Sequence, residues 1–393
     1  MQIHKALARN HAILKYYGKN ALSSKIAFDK FRLLIFSILC YNIFYMKKEE
    51  FYDLLESIPK AELHVHEEAV LSRETVKKVY KRNFNQDMSD EEFNSLFEYD
   101  DLTGFLSSFI KIQSYFTNIN DFEYMFKDFE DYLDKNNIVY CETFFSPTSH
   151  LKKGWSFHDM ISIVQKSIER IKENSGRTVK LIVDVSRSFG VENAMKNLDL
   201  VLAEKSPYIV GIGLGGDEKK GPAAEYKDVF VKAKENGLHV VTHAGESCGV
   251  FSMKDSLELC KAERLGHGIA AAQDADFMKY LAENKIPLEV CPTSNIFILK
   301  EFNGDMKNHP VKKLYDAGVF VTLNTDDPTF FKVSLIDEYW NIYKDQNFSL
   351  DEIKEIIKNG YKAAFISQEE KDNYCKNVDS AWDAWFKKHP EAK

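Results

Sequence analysis

Eight short runs of β-branched and apolar residues, separated by stretches of helical periodicity, constrain this chain more than any other feature. The runs are AELHVH (61–66), IVYCETFF (138–145), VKLIVDVS (179–186), YIVGIGLGG (208–216), HVVTHAGE (239–246), RLGHG (264–268), PLEVCPTSN (287–295) and FVTLNTDD (320–327). Between them, 121–137, 157–174, 224–237 and 253–266 read as helix, and 334–367 continues as helix after the last run. Eight strands alternating with helices from about residue 60 to 370 predict one α/β domain, a (β/α)8 TIM barrel. Residues 67–137 then form a mostly helical insertion after strand 1, lying over the top of the barrel, and extra helices close the C-terminal end. A doubly wound sheet is the competing arrangement, but no G-x-G-x-x-G follows the first strand.

The polar residues fall in a pattern on this frame. Strand 1 ends in His64-Val65-His66, and alternation along a strand turns both imidazoles to one face. Taken alone, such a pair fits a metal clamp and a hydrogen-bonded core pair equally well. Strand 5 ends in THAGE, with His243 and Glu246. Strand 6 ends in GHG, with His267 between glycines that leave room for close approach. Strand 8 ends in TDDP, with Asp326 and Asp327 adjacent. Each motif has an ordinary structural reading: a helix N-cap for Asp326 or Asp327, a turn for GHG, a capping carboxylate for Glu246.

Together, however, all of them lie at the C-terminal ends of strands, where barrel active sites are built. Four of the eleven histidines converge on this rim. Three imidazole nitrogens and one carboxylate oxygen suit a borderline-soft divalent ion, zinc first. The expected ligands are therefore His64, His66, His243 and Asp326, with Glu246, His267 and Asp327 as acid/base groups beside an activated water. Two-metal barrels bridge their ions with a lysine on strand 4; YIVGIGLGG has none, which favours a single ion.

Composition sets the outer bounds. A net charge of −8 and a pI near 5.8 argue against a nucleic-acid partner, which would require a basic patch. The six cysteines (Cys40, Cys141, Cys248, Cys260, Cys291, Cys375) form no C-x-x-C pair, so reduced thiols in a cytoplasmic protein are expected. The run FRLLIFSILCYNIFY (31–45) resembles a signal h-region but is shorter than the ~20 apolar residues of a membrane span. Residues 1–45 are read as an extension outside the fold and 46–393 as the catalytic domain, with no membrane contact expected for that domain. Met46 is a candidate start, and export or anchoring through 31–45 is the alternative.

The pieces PKAELHVH, GIGLGGDE, THAGE, RLGHG, EVCPTSN and LNTDDP, in this order, resemble the adenosine deaminase family of metal-dependent hydrolases over about 310 residues. The H-x-E with P-C-x-x-C pattern of the unrelated zinc deaminases is absent. The resemblance implies one zinc held by His64, His66, His243 and Asp326, activating a water for attack on C6 of a 6-aminopurine. It implies that Glu246 protonates ring N1, that His267 orients the water and stabilises its developing charge, and that Asp327 hydrogen-bonds purine N7. It also implies that the backbone of Gly216 approaches N3.

One motif departs from the family. The usual H-x-H-L-D-G is here His66-Glu67-Glu68-Ala69, so the Asp that reaches the ribose 5′-hydroxyl aligns with Glu68. Adenine deaminases, a sister group, commonly carry Glu at this point. They also tend to show a serine-rich run after strand 4 and HAGEEG after strand 5, whereas GLGGDE and HAGESCG are closer to the nucleoside enzymes. Glu68 is expected to face the substrate, where it would repel a 5′-phosphate. Glu67 is expected at the surface or behind the site, and Ser72 is the better N-cap for the next helix. The leading expectation is deamination of adenosine or 2′-deoxyadenosine to the inosine nucleoside and ammonia. The alternatives are adenine or a 5′-modified adenosine as substrate, or a secreted growth-factor-like or non-catalytic relative.

Overall fold

The computed structural model describes residues 46–392, so the expected extension and Cys40 lie outside the described residues. The chain separates after Glu50 into two compact units, and the features below belong to the unit that begins at Phe51.

Eight strands form one parallel sheet in sequence order: β1 (Lys60–His66), β2 (Ile138–Phe145), β3 (Thr178–Asp184), β4 (Ile209–Leu214), β5 (His239–Ala244), β6 (Arg264–His267), β7 (Pro287–Val290) and β8 (Phe320–Leu323). The expected (β/α)8 architecture is what the chain adopts. Several boundaries move, most strands ending before the runs that predicted them. β7 stops at Val290 because Pro292 occupies the first turn of a helix, Pro292–Ile298, where its fixed φ and missing N–H are tolerated. The helix expected over 253–266 is Val250–Glu258, since Lys261 takes φ +60 and the chain enters β6 at Arg264.

The insertion after β1 contains α1 (Arg73–Phe84), α2 (Asp90–Ser95), α3 (Leu102–Tyr115) and α4 (Phe122–Lys135). Ser72 caps α1 by accepting from the Thr75 N–H, Ser89 and Glu92 form a capping box on α2, and Asp101 caps α3 through Gly104. α3 roofs the barrel and α1 packs against it, whereas α4 packs beside α5 (Phe157–Ser175) as an ordinary crossover helix. Its buried face, Phe122, Met125, Phe126, Phe129 and Leu133, keeps the i, i+3, i+4, i+7 spacing. Burying such a side chain contributes about 1.5–3 kcal/mol. After β8 come α6 (Leu335–Asp345), α7 (Leu350–Ala363) and α8 (Gln368–Lys388), the last beyond the expected helical stretch. Among the described residues no helix is long and apolar enough to cross a membrane.

Closure between β8 and β1 uses few main-chain bonds. Asn324 Oδ1 accepts from the Leu63 N–H at 2.9 Å, the Asp326 N–H donates to the His64 carbonyl at 3.0 Å, and the His66 N–H donates to the Asp326 carbonyl at 2.9 Å. The last two form an isolated parallel bridge between Val65 and Asp326. Behind this seam α7 packs on β1 and β8, with Gly360 close enough that a β-carbon there would stand 3.3 Å from Ala61. Replacing Asn324 by Ala leaves the buried Leu63 N–H without its acceptor. We expect a loss of about 1–3 kcal/mol in stability, read as a lower denaturant midpoint at unchanged m-value.

Candidate active site

His64, His66, His243 and Asp326 converge at the C-terminal rim, each buried, with one ligand atom apiece and all of those atoms within 4.8 Å of one another. The Nε2 atoms of His64 and His243 are 3.1 Å apart, and Asp326 Oδ1 lies 3.4 Å from Nε2 of both His64 and His66. Donors about 2.0–2.1 Å from a tetrahedral zinc are about 3.3–3.4 Å from each other, which these three separations approach. The seam makes this possible: the bridge that closes the barrel carries Asp326 between the two strand-1 histidines, at φ +66. Gly266 completes the fit, since a β-carbon there would sit 2.7 Å from the His64 ring.

The ligands are oriented from behind. His64 Nδ1 contacts Glu289 Oε2 at 2.7 Å, Glu289 Oε1 accepts from Arg264 Nε at 2.5 Å, and Arg264 Nη2 lies 2.6 Å from Glu142 Oε2. This chain keeps the Nδ1 proton on the barrel side and aims Nε2 at the cluster. Burial alone would lower the His64 pKa, but Asp326 and Glu289 outweigh it and raise it to about 9, so an ion binding there competes with a proton. His243 moves the other way, well below the usual imidazole range, through burial and the neighbouring imidazoles.

The second relay fixes His267, another non-glycine residue with positive φ (+62). The Val311 N–H donates to His309 Nδ1 at 3.2 Å, so His309 carries its proton on Nε2 and gives it to Asn295 Oδ1 at 3.1 Å. The Asn295 amide nitrogen therefore donates to His267 Nδ1 at 3.1 Å, which leaves the His267 proton on Nε2. Burial, outweighing the attraction of Asp326, lowers His267 to about 4, so the ring is a neutral donor. Its Nε2 points at Glu246 Oε2 (3.9 Å) and Asp326 Oδ2 (4.0 Å). Sequence reading missed Asn295 and His309. EVCPTSN contained the first, but nothing local ties it to a histidine in another loop.

Glu246 sits on a loop wrapped around another carboxylate. Glu218 accepts from the backbone N–H groups of Gly245, Glu246, Ser247 and Cys248 at 2.8–3.3 Å and from Ser252 Oγ at 2.5 Å. Arg187 ties the same region together, donating to the carbonyls of Gly221, Leu214 and His243. Burial, then the charges of Asp326 and Glu218, push the Glu246 carboxyl up to about 8, which keeps it protonated at neutral pH. Asp327 rises well above the carboxylate range through burial and its neighbour Asp326. It stands at the N-cap of Pro328–Phe331 without making a capping bond, so the ordinary reading of that residue does not describe it.

A cavity of about 790 Å³, counting its open mouth, joins these groups. His66, His243, His267, Glu246, Asp326, Asp327 and Gly216 line it, and α3 roofs it with Leu102, Phe105, Leu106, Phe109 and Ile110, one helix face. Glu68 is not on the lining. It is fully buried, and its Oε1 accepts from the Ser146 N–H at 2.6 Å. Glu67 is fully buried too, which rules out the surface half of its expectation, and neither carboxyl oxygen has a protein partner. The chain leaves β1 in a 3-10 turn, Glu67–Ala69, which breaks the strand alternation and carries both side chains under the insertion. Burial and Glu68 hold the Glu67 pKa well above the usual range, in its neutral form.

Known proteins extend this picture. The family model described as adenosine deaminase matches residues 59–381. An adenine deaminase of Psychrobacter cryohalolentis is 33% identical over 336 residues, 84% of this chain and 99% of that protein. One from Acinetobacter baylyi is 32% identical over 330 residues, 83% and 98%. Among solved structures, an adenine deaminase from Arthrobacter aurescens superposes with TM-score 0.78 at 27% identity, covering 82% of this chain and 98% of that one. An amidohydrolase from Burkhoderia ambifaria with bound zinc shares the fold at TM-score 0.81 and 20% identity, covering 87% and 96%. A model match running from the residue before β1 into α8, on a barrel whose rim assembles the family's donor set, means that this chain belongs to the adenosine deaminase family, as an aminohydrolase acting on a 6-aminopurine.

Proposed function

We propose that the substrate is free adenine, hydrolysed to hypoxanthine and ammonia with one zinc ion held by His64, His66, His243 and Asp326. The observation that carries this over adenosine, the leading expectation from the sequence, is the position of Glu68. The residue aligned with the sugar-reading carboxylate is buried, bonded to the Ser146 N–H and absent from the cavity wall. Relatives named adenine deaminase support the same reading. No lysine or arginine lines the cavity among the described residues, which argues against a phosphorylated substrate. The cytoplasmic expectation is supported by free thiols at the described cysteines.

When bound, the ion supplies Lewis acidity that lowers the pKa of a water from 15.7 to about 7. The chain's own groups do the rest. The neutral His267 donates from Nε2 toward the water oxygen, holding it in line and stabilising the negative charge it gains. Glu246, kept protonated by its surroundings, gives its proton to ring N1, which turns C6 into an electrophile. Asp327, its Oδ1 buried without a protein partner, provides the hydrogen bond to N7. The exocyclic amine takes one of the water's protons and departs as ammonia, the other returns to Glu246, and the ring keeps the water's oxygen as a carbonyl at C6.

Three outcomes follow from these roles. Purified zinc-loaded protein should show a far higher kcat/KM for adenine than for adenosine, followed by loss of absorbance at the purine band; activity on adenosine alone overturns the base assignment. Glu246→Gln should retain a full equivalent of zinc while kcat falls by about 10²–10⁴-fold. His243→Ala should lose the ion, and a full zinc equivalent by elemental analysis would remove this residue from the ligand set.

A further inference from the structure

The metal donors come from β1, β5 and the segment after β8, and His267 from β6, so these strands take up one side of the rim. The non-reacting edge of a bound purine must therefore face the remaining arc, the ends of β2, β3 and β4. That arc contributes Ser146, Asp184, Ser186, Ser188, Gly215 and Gly216 to the cavity wall. All but one of these offer hydroxyls or bare backbone. Asp184 is the exception, and it has no part in the mechanism above.

Its position is built rather than incidental. Asp184 is the last residue of β3 and is 4% exposed. Its Oδ1 accepts from the Gly215 N–H at 2.7 Å, which fixes the plane of the carboxylate. Among the described residues no protein donor reaches Oδ2, and Asp184 lines the cavity. Residue 215 has no side chain to cover it: a β-carbon there would stand 3.1 Å from Oδ2 and 3.3 Å from Oδ1. A nearly buried carboxylate with a vacant acceptor is costly unless a ligand supplies a donor.

A free purine base supplies one from its own ring, at a position where a nucleoside carries its sugar instead. In a 6-aminopurine, N3 lies across the six-membered ring from C6, and N9 follows it along the same edge, with C4 between them. With C6 toward the metal donors, that edge meets the β2–β4 arc. In adenine N9 bears a hydrogen; in adenosine it bears the ribose. We propose that Asp184 reads the purine N9–H through Oδ2 and is the residue that selects the free base, an inference that rests on the 6-aminopurine pose and base specificity proposed above. A 9-alkylpurine such as 9-methyladenine presents no donor to this carboxylate and leaves it buried and unpaired, the arrangement that gives polar sites their strongest discrimination.

The test compares adenine with 9-methyladenine on the zinc-loaded wild-type enzyme and on Asp184→Asn. Asparagine keeps the shape, but its single carbonyl oxygen serves either the Gly215 N–H or the substrate. We expect kcat/KM for adenine to fall about 10- to 100-fold, mostly through KM, because the bond is made in ground and transition states alike. The rate on 9-methyladenine should hold or rise, so the preference collapses. An unchanged adenine to 9-methyladenine ratio in a variant of normal zinc content and far-UV spectrum overturns the role of Asp184 while leaving base specificity intact. Turnover of adenosine without adenine by the wild type instead defeats the base reading itself. Should Asp184→Asn not fold, the wild type still decides: it must favour adenine over 9-methyladenine at least ~10-fold, and parity overturns the proposal.

Discussion

The barrel closes through residues of the candidate site. β8 is four residues long, and its union with β1 rests on Asn324 and on a two-bond bridge centred on Asp326. Those bonds flank His64 and His66, so the strand register that completes the sheet also sets the separation of three of the four candidate donors. In a longer ladder the donors would be carried by the sheet. Here the two are interdependent, and the strained φ of Asp326 is held by the bonds on either side of it.

Behind this seam the barrel interior is charged as well as apolar. Phe144, Ile182 and Val241 make a small hydrophobic layer, beside which Glu142, Arg264 and Glu289 form a buried chain ending on His64. Placing one guanidinium between two carboxylates meets the cost of burying each, and Phe365 stacks on the Arg264 guanidinium at 3.7 Å. This arrangement turns the inside of the barrel into a rigid mount for one imidazole rather than an oily filling. A single missing member would leave an uncompensated charge at 0–1% exposure.

How much of this was legible in the sequence follows from the range of the interactions. The strands could be read because alternation and apolar runs are local, and the rim residues because a barrel gathers strand ends whatever the loops do. His64 and His66 kept their phase up to the last strand residue. Glu67 and Glu68 did not, because the 3-10 turn beginning at Glu67 resets the direction of side chains, and strand parity cannot be carried past it. Asn295, His309, Glu218 and Arg264 were invisible as functional residues. Each acts through a side-chain partner 14 to 34 residues distant, or through main-chain atoms, neither of which leaves a pattern in one sequence. Substrate choice was the least legible, since it turns on whether one carboxylate faces the cavity or a backbone amide.

The relay behind His267 begins at the amide of Val311, and an amide nitrogen has only one polarity. It always gives and never accepts, so the sequence of donors and acceptors through His309 and Asn295 has a single direction that neither solvent nor ion can reverse. Active sites that leave a histidine's tautomer to local competition must select among microstates each turnover. In this protein the choice is inherited from the covalent backbone some forty residues away in sequence, which makes the handedness of the proton at the reaction centre a property of the fold itself.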